Sequence, residues 1–163
     1  MSRLKFCHTC QIFRPERAFH CHFCGNCVHR FDHHCQWLGT CIGGRNYRSF
    51  IIYLFSIVAM HWSTLIYVLG YLSYTMHHNP DSFFDTLLDA IKAKPSIPVI
   101  IFFALITCGF TTHLLGYHLV VIGYNGMSTY ESKKDHFVKY AQGNPYGNVK
   151  QNRCYLLCRS RVT

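Results

Sequence analysis

Asp32-His33-His34-Cys35 puts a carboxylate, two imidazoles and a thiol into four consecutive residues. These are the parts of an activated cysteine nucleophile: an imidazole takes the thiol proton and a carboxylate holds that imidazole in one tautomer. A free thiol has a pKa of about 8.5, so only roughly a few per cent is thiolate at neutral pH and attack needs such a base. Cys21, Cys24 and Cys27 precede the stretch, Cys41 follows it, and an apolar run opens at Phe50. The expected chemistry is a reactive thiol held among metal knuckles beside a membrane.

The ligand count bears on which thiol reacts. The candidates are Cys7, Cys10, His20, Cys21, Cys24, Cys27, His34, Cys35 and Cys41. Cys7/Cys10, Cys21/Cys24 and Cys24/Cys27 are Cys-x-x-Cys pairs, a spacing that turns the chain in a knuckle with both sulfurs about 2.3 Å from one zinc. Structural zinc takes four ligands, so two sites consume eight of these nine groups and leave one over. Spacing does not say which is spare, and His8, His22, His29 and His33 are also eligible. A disulfide framework fits poorly, because dense Cys-x-x-Cys with interleaved histidine reads as metal and the first residues are polar and basic rather than an apolar leader. A structural zinc module of the RING or LIM type, or one that binds nucleic acid, is the stronger alternative. A spare thiol beside Asp32 and His33, and the apolar segment behind it, count against that.

The run Cys7-x2-Cys10, Arg14-Pro15-x-Arg17, His20-Cys21-x2-Cys24-x2-Cys27, Asp32-His33-His34-Cys35, Trp37, Cys41-x4-Asn46-x3-Phe50 resembles the cysteine-rich domain of DHHC-type protein S-acyltransferases (palmitoyltransferases), nearly position by position over residues 7–50. The resemblance implies that an acyl group passes from acyl-coenzyme A, palmitoyl-CoA for instance, to Cys35 and then to a cysteine of a cytosol-facing protein. It implies one zinc on Cys7, Cys10, His20 and Cys27 and another on Cys21, Cys24, His34 and Cys41, with Cys35 free. His33 is then the expected base and Asp32 its orienter, since the lone pair of His34 belongs to zinc. Two thioester exchanges on one cysteine imply ping-pong kinetics. Arg14, Arg17, Arg45 and Arg48 suit the coenzyme phosphates by charge-assisted hydrogen bonds, although arginines beside a membrane also serve as flank charges or phospholipid contacts.

Further along, Ser128-Thr129-Tyr130-Glu131 is similar to the family's Thr-Thr-x-Glu motif, whose second Thr contacts the catalytic Asp; that role maps onto Thr129. By itself such a string reads as a helix cap. Asn144-Pro145-Tyr146-Gly147-Asn148 with Asn152, Cys154 and Cys158 resembles the C-terminal segment of the subgroup that acylates Ras-like proteins with an accessory subunit; Cys154 and Cys158 suit palmitoylation or packing. Three departures from the family pattern stand out. Gln36 replaces the usual Pro after the reactive Cys, which is expected to loosen that turn. Ser128 replaces a Thr. Members typically carry four spanning helices with two before the zinc domain, and here the cluster begins at Cys7. The chain is therefore expected to lack half the walls of the acyl cavity and to transfer weakly, or not at all, on its own.

Of the 163 residues, half are hydrophobic and the formal charge is +9. Six zinc-bound thiolates and two dications would leave it basic. Nucleic acid is the routine partner of such charge, but the apolar segments point to an anionic membrane face. Phe50–Tyr74 and Ile97–Tyr124 hold no Asp, Glu, Lys or Arg over 25 and 28 residues, where about 20 cross a hydrocarbon core. The expected organisation is a zinc domain at 1–49, spanning helices at 50–74 and 97–124, a connector at 75–96 and a tail at 125–163. The fold class is an α-helical membrane protein with two transmembrane helices and a small irregular two-zinc cytosolic domain. Within the connector, Asn79-Pro80 reads as the cap of a short helix with Asp81, Asp85 and Asp89 on one face and Leu87, Leu88 and Ile91 mostly on the other. His61 is expected to bond across the helices, and His118 to lie near the cytosolic interface, where it can approach the zinc domain. Golgi or endoplasmic reticulum membranes are the expected location. A non-catalytic zinc-bearing membrane scaffold that binds partner proteins is the alternative function.

Residues 1–49 and 125–163 hold seven Lys/Arg each, and 75–96 holds two. Cationic flanks stay cytosolic. A protease added to the cytosolic side of sealed vesicles should therefore cut both ends and spare the connector around Asn79. Protection of one end alone would mean an odd number of spans.

Overall fold

The computed structural model describes residues 5–78, 83–121, 123 and 126–133. The Asn79-Pro80 cap with Asp81, and the tail carrying Asn152, Cys154 and Cys158, lie outside the described residues. The chain forms two compact units, one of Met1–Ile52 with Gly116–Thr163 and one of Tyr53–Leu115.

The first unit is built on three small antiparallel hairpins. β1 (Phe6–Cys7) pairs with β2 (Ile12–Phe13), β3 (Phe19–Cys21) with β4 (Asn26–Val28), and β5 (His33–Cys35) with β6 (Thr40–Ile42). Ladders of two or three residues are too short to stand alone in water. The hairpins repeat every 14 residues: Cys7, Cys21 and Cys35 each end a first strand, and Gln11, Gly25 and Gly39 each take the left-handed backbone of the turn, with φ of 55°, 65° and 61°. Glycine adopts that conformation without strain, whereas Gln11 does so against the preference of its side chain.

Backbone hydrogen bonds tie the third hairpin to its surroundings. Asp32 N–H donates to Ile42 O at 2.9 Å and Gly44 N–H to His29 O at 3.0 Å. The Asn46 amide bridges the exit, accepting from Gly43 N–H and donating to Cys41 O, both at 2.9 Å. Tyr47 N–H then donates to Gly43 O and opens helix α1 (Tyr47–His78). Ile42, Tyr47 and Phe50 are buried here. The unit also contains the five-residue helix α4 (Thr129–Lys133).

In the second unit α1 and helix α3 (Ser96–Val121) run antiparallel, with Leu65 clustered on Ala104 and Cys108 and His61 Nδ1 3.2 Å from Thr111 Oγ1. His61 thus bonds across the helices. Hydroxyls that apolar surroundings would leave unpaired turn back on their own helix: Thr75 to Tyr71 O, Thr107 to Phe103 O and Thr111 to Thr107 O, at 2.7–2.9 Å. Both helices are long and apolar enough to cross a membrane, and the most apolar stretch of each is only 17% buried. A helix that is apolar on all sides must be covered by protein or lipid. Between them lies helix α2 (Phe83–Ala93), with Leu87 and Ile91 half-buried, Phe84 and Leu88 exposed, and Asp89 exposed and paired with Lys92.

Gly43 and Gly44 separate a close approach from mere proximity. A Cβ on Gly43 would come within 2.7 Å of Val28 Cγ1 and 2.9 Å of the His29 carbonyl oxygen, while one on Gly44 would meet Arg30 and His29 side-chain atoms at 3.3 Å. Gly43→Ala should destabilise the protein by about 1–3 kcal/mol, read as a lower thermal midpoint. Gly44→Ala should be clearly milder, because those side chains can shift.

Candidate metal centres and reactive cysteine

Each candidate metal centre joins two hairpins. Cys7 and Cys10 lie on the first hairpin and converge on His20 and Cys27, which face each other directly across β3 and β4. Cys21 and Cys24 belong to the second hairpin and converge on His34 and Cys41, directly paired across β5 and β6. The sulfurs of Cys10, Cys7 and Cys27 lie 3.3, 3.6 and 3.9 Å from the single Nδ1 of His20. Those of Cys24, Cys41 and Cys21 lie 3.4, 3.6 and 3.7 Å from Nδ1 of His34. One ring nitrogen cannot hydrogen-bond three thiols. Four ligands at tetrahedral corners, with Zn–S about 2.3 Å and Zn–N about 2.0 Å, do stand about 3.5–3.8 Å apart.

The thiol electrostatics fit a dication. At Cys7 the N–H of Cys10 is the main influence and holds the thiol below its ordinary range. At Cys21 burial acts most strongly and opposes ionisation, but the Cys24 N–H, the Cys41 thiol and the Phe23 N–H together bring the thiol down. Burial, and then the neighbouring Cys7 and Cys10, push Cys27 up to about 12, and Cys41 is pushed upward by burial and by Cys21 and Cys24. Three thiolates cannot share one site without a cation, and a divalent ion reverses that balance. The donor sets therefore fit two zinc ions.

Cys35 belongs to neither set. It holds the place in the third repeat that Cys7 and Cys21 hold in the first two, but Leu38 stands where Cys10 and Cys24 supply the second knuckle sulfur. Strand alternation does the rest. In β5, His33 and Cys35 share one face and His34 takes the other, so one strand sends an imidazole to the metal side and keeps an imidazole and a thiol together opposite. In the turn after it the Gln36 carbonyl accepts from Gly39 N–H at 3.4 Å.

Asp32, 2% exposed, is engaged by both oxygens. Oδ2 accepts from His33 Nδ1 at 2.7 Å, and Oδ1 accepts from the backbone N–H of Thr129 at 2.7 Å. With Nδ1–H committed to the carboxylate, the Nε2 lone pair of His33 is the one left to take a proton. The Thr129 contact with Asp32 is made by the backbone; its hydroxyl is buried and has no hydrogen-bond partner among the described residues.

Ser128 and Glu131 explain why that N–H is in place. Ser128 Oγ accepts from Glu131 N–H at 3.2 Å and Glu131 Oε2 accepts from Ser128 N–H at 2.8 Å, a reciprocal cap at the start of α4. Arg17 grips the same carboxylate through Nε (2.7 Å) and Nη2 (2.6 Å), and Nη2 also donates to Gly126 O at 3.0 Å. Tyr130 packs on Phe19 and Phe31, with ring centroids 4.2 and 5.3 Å away.

The four arginines matched to coenzyme phosphates have different surroundings. Arg45 and Arg48 are exposed, Arg14 is half-buried with its Nε unpartnered among the described residues, and Arg17 is paired with Glu131. His29 is held below the usual imidazole range by partial burial and then by the charges of Arg30, Arg17 and Arg45. His118 is buried with Nδ1 2.9 Å from Tyr47 OH, and its ring lies 6.0 Å from that of His33. Phe50 packs edge-on against both imidazoles. The capping box was legible in Ser-x-x-Glu, but no spacing signals a bond between Arg17 and a residue 114 positions away.

Comparison with known proteins meets this geometry. The family model described as DHHC palmitoyltransferase matches residues 1–136. Palmitoyltransferase ZDHHC9 of Bos taurus is 34% identical over 158 residues, covering 96% of this chain and 42% of that protein. Palmitoyltransferase ZDHHC14 of Mus musculus is 37% identical over 163 residues, with coverage of 96% and 32%. Probable protein S-acyltransferase 7 of Arabidopsis thaliana is 36% identical over 130 residues, with coverage of 80% and 28%. The chain spans less than half the length of these relatives. With both ligand sets, the Asp32–His33 pair and the unligated Cys35 in place, the chain belongs to the DHHC palmitoyltransferase family.

Proposed function

We propose that the protein is a protein S-palmitoyltransferase that carries an acyl group on Cys35. One observation carries this reading: Cys35 lies outside both four-ligand sets and shares a strand face with His33, whose tautomer Asp32 holds. In the first half-reaction His33 Nε2 takes the thiol proton and the Cys35 thiolate attacks the thioester carbonyl of acyl-CoA. The bond to the coenzyme sulfur breaks, and that sulfur leaves with the proton from His33. In the second, His33 deprotonates a cysteine of the protein substrate, whose thiolate attacks the Cys35 thioester. Cys35 leaves as thiolate and recovers the proton. Zinc, when bound, supplies structure to the hairpins and takes no part in these steps.

The wider setting follows from the same reading. In this reading the protein sits in a Golgi or endoplasmic reticulum membrane, with the zinc domain and the C-terminal tail on the cytosolic side and the connector opposite; two helices long and apolar enough to cross a bilayer support the membrane. The substrates are cytosol-facing proteins, Ras-like ones among them, with an accessory subunit as partner. Exposed Arg45 and Arg48, with Arg14, meet the coenzyme phosphates.

Three outcomes test the proposal in the intact protein. Elemental analysis should give two zinc ions per chain, and Cys24→Ser should lose metal and destabilise the fold, since metal binding and folding are coupled. Mass spectrometry after palmitoyl-CoA treatment should find a thioester adduct on Cys35. Cys35→Ser should abolish it with zinc retained, His33→Ala should slow it by about 10²–10⁴ with zinc retained, and His34→Ala should lose metal. Loss of zinc by Cys35→Ser would make Cys35 a ligand and favour the scaffold. Third, Thr129→Ala should be mild, because the backbone N–H makes the contact. Thr129→Pro removes that N–H along with the hydroxyl, at a helix position where Pro is well tolerated, and should, unlike Thr129→Ala, slow adduct formation with zinc unchanged.

A further inference from the structure

Arg17 is matched by sequence to coenzyme phosphate, yet its guanidinium is engaged elsewhere. Nε and Nη2 take the two oxygens of Glu131, which is 4% exposed, at 2.7 and 2.6 Å, and Nη2 also reaches Gly126 O. The two-pronged geometry is the strong form of this pair. Its backbone supports the same reading. Ala18 N–H donates to Pro15 O at 3.1 Å, closing a turn in which Arg17 holds the third position at φ 60°. Glycine is the ordinary occupant there, and a side chain in that conformation is held by its surroundings.

What the pair holds is the start of α4. Glu131 is at once the partner of Arg17 and the capping residue for Ser128 N–H. The next residue, Thr129, gives its N–H to Asp32 Oδ1, and Asp32 Oδ2 holds His33. Hydrogen bonds, joined through the Ser128–Thr129 peptide bond, therefore run from Arg17 through Glu131 and the cap to His33, which shares a strand face with Cys35. Each link is 2.6–2.8 Å long.

We infer that Arg17 and Glu131 are positioning residues for the reactive cysteine, acting through the Thr129 N–H on Asp32, and that Arg17 is not a phosphate ligand. The inference rests on the acyltransferase reading above. It predicts that both residues act on the rate of acylation, and that removing either has the same effect.

The test measures initial rates of Cys35 adduct formation against palmitoyl-CoA concentration in the intact protein, with zinc content measured alongside. Arg17→Lys keeps the charge but loses the two-pronged grip, and Glu131→Gln keeps the shape but loses the charge. Each should lower the maximal rate by about 10–100-fold, with half-saturating palmitoyl-CoA and zinc content unchanged. The double variant Arg17→Lys/Glu131→Gln should be no slower than the worse single one, because coupled partners are not additive. A raised half-saturating concentration in Arg17→Lys with wild-type behaviour in Glu131→Gln would make Arg17 a phosphate ligand. Zinc loss in both single variants would reduce the pair to a fold support, and wild-type rates in both would make it idle. No adduct on the wild-type protein above the Cys35→Ser baseline would instead defeat the acyltransferase reading, and this inference with it.

Discussion

The first unit depends on metal ligands that converge from neighbouring hairpins. Strands of two and three residues bury little apolar surface and make few ladder bonds, so coordination must supply what packing does not. Each site takes its knuckle from one hairpin and a directly opposed His/Cys pair from the next. The second hairpin therefore serves both sites, with His20 and Cys27 for one and Cys21 and Cys24 for the other. With zinc in both sets, loss of either ion would free an end of that hairpin, so the two sites would act mechanically as one.

The same repeat accounts for the free thiol. A knuckle needs a second sulfur, and the third repeat has Leu38 there. Cys35 thus keeps the backbone setting of a metal cysteine without a metal. Its neighbours divide by strand parity: His34 joins the second ligand set, and His33 shares the strand face of Cys35. Asp32 then acts as the junction between the hairpins and α4, with one oxygen on an imidazole and the other on a backbone N–H. A carboxylate held at both oxygens cannot rotate freely, and it fixes the ring it carries.

The helices of the second unit obey a different constraint. Their hydroxyls bond back to carbonyls on the same helix and His61 finds Thr111, so polar groups are satisfied locally while large apolar side chains such as Ile66, Leu69, Phe102 and Phe103 point outward. That pattern suits surroundings that offer no hydrogen bonds.

Ligand types, their count and the apolar runs were all legible in the chain, because metal preference, strand parity and helix length are local properties. Interleaved spacing was enough to expect two four-ligand sites with one of nine candidate groups left over, and the family resemblance to expect which. The sequence also marked Ser128–Glu131 as a cap, and the family resemblance set Thr129 against Asp32. It did not show that a backbone N–H rather than the hydroxyl makes that contact, since any residue but proline carries the donor. Nor did it show Arg17 on Glu131 or His118 beside Tyr47 and Phe50. Those pairs join residues 68 to 114 positions apart, and only the tertiary path of the chain decides which charge or imidazole meets which.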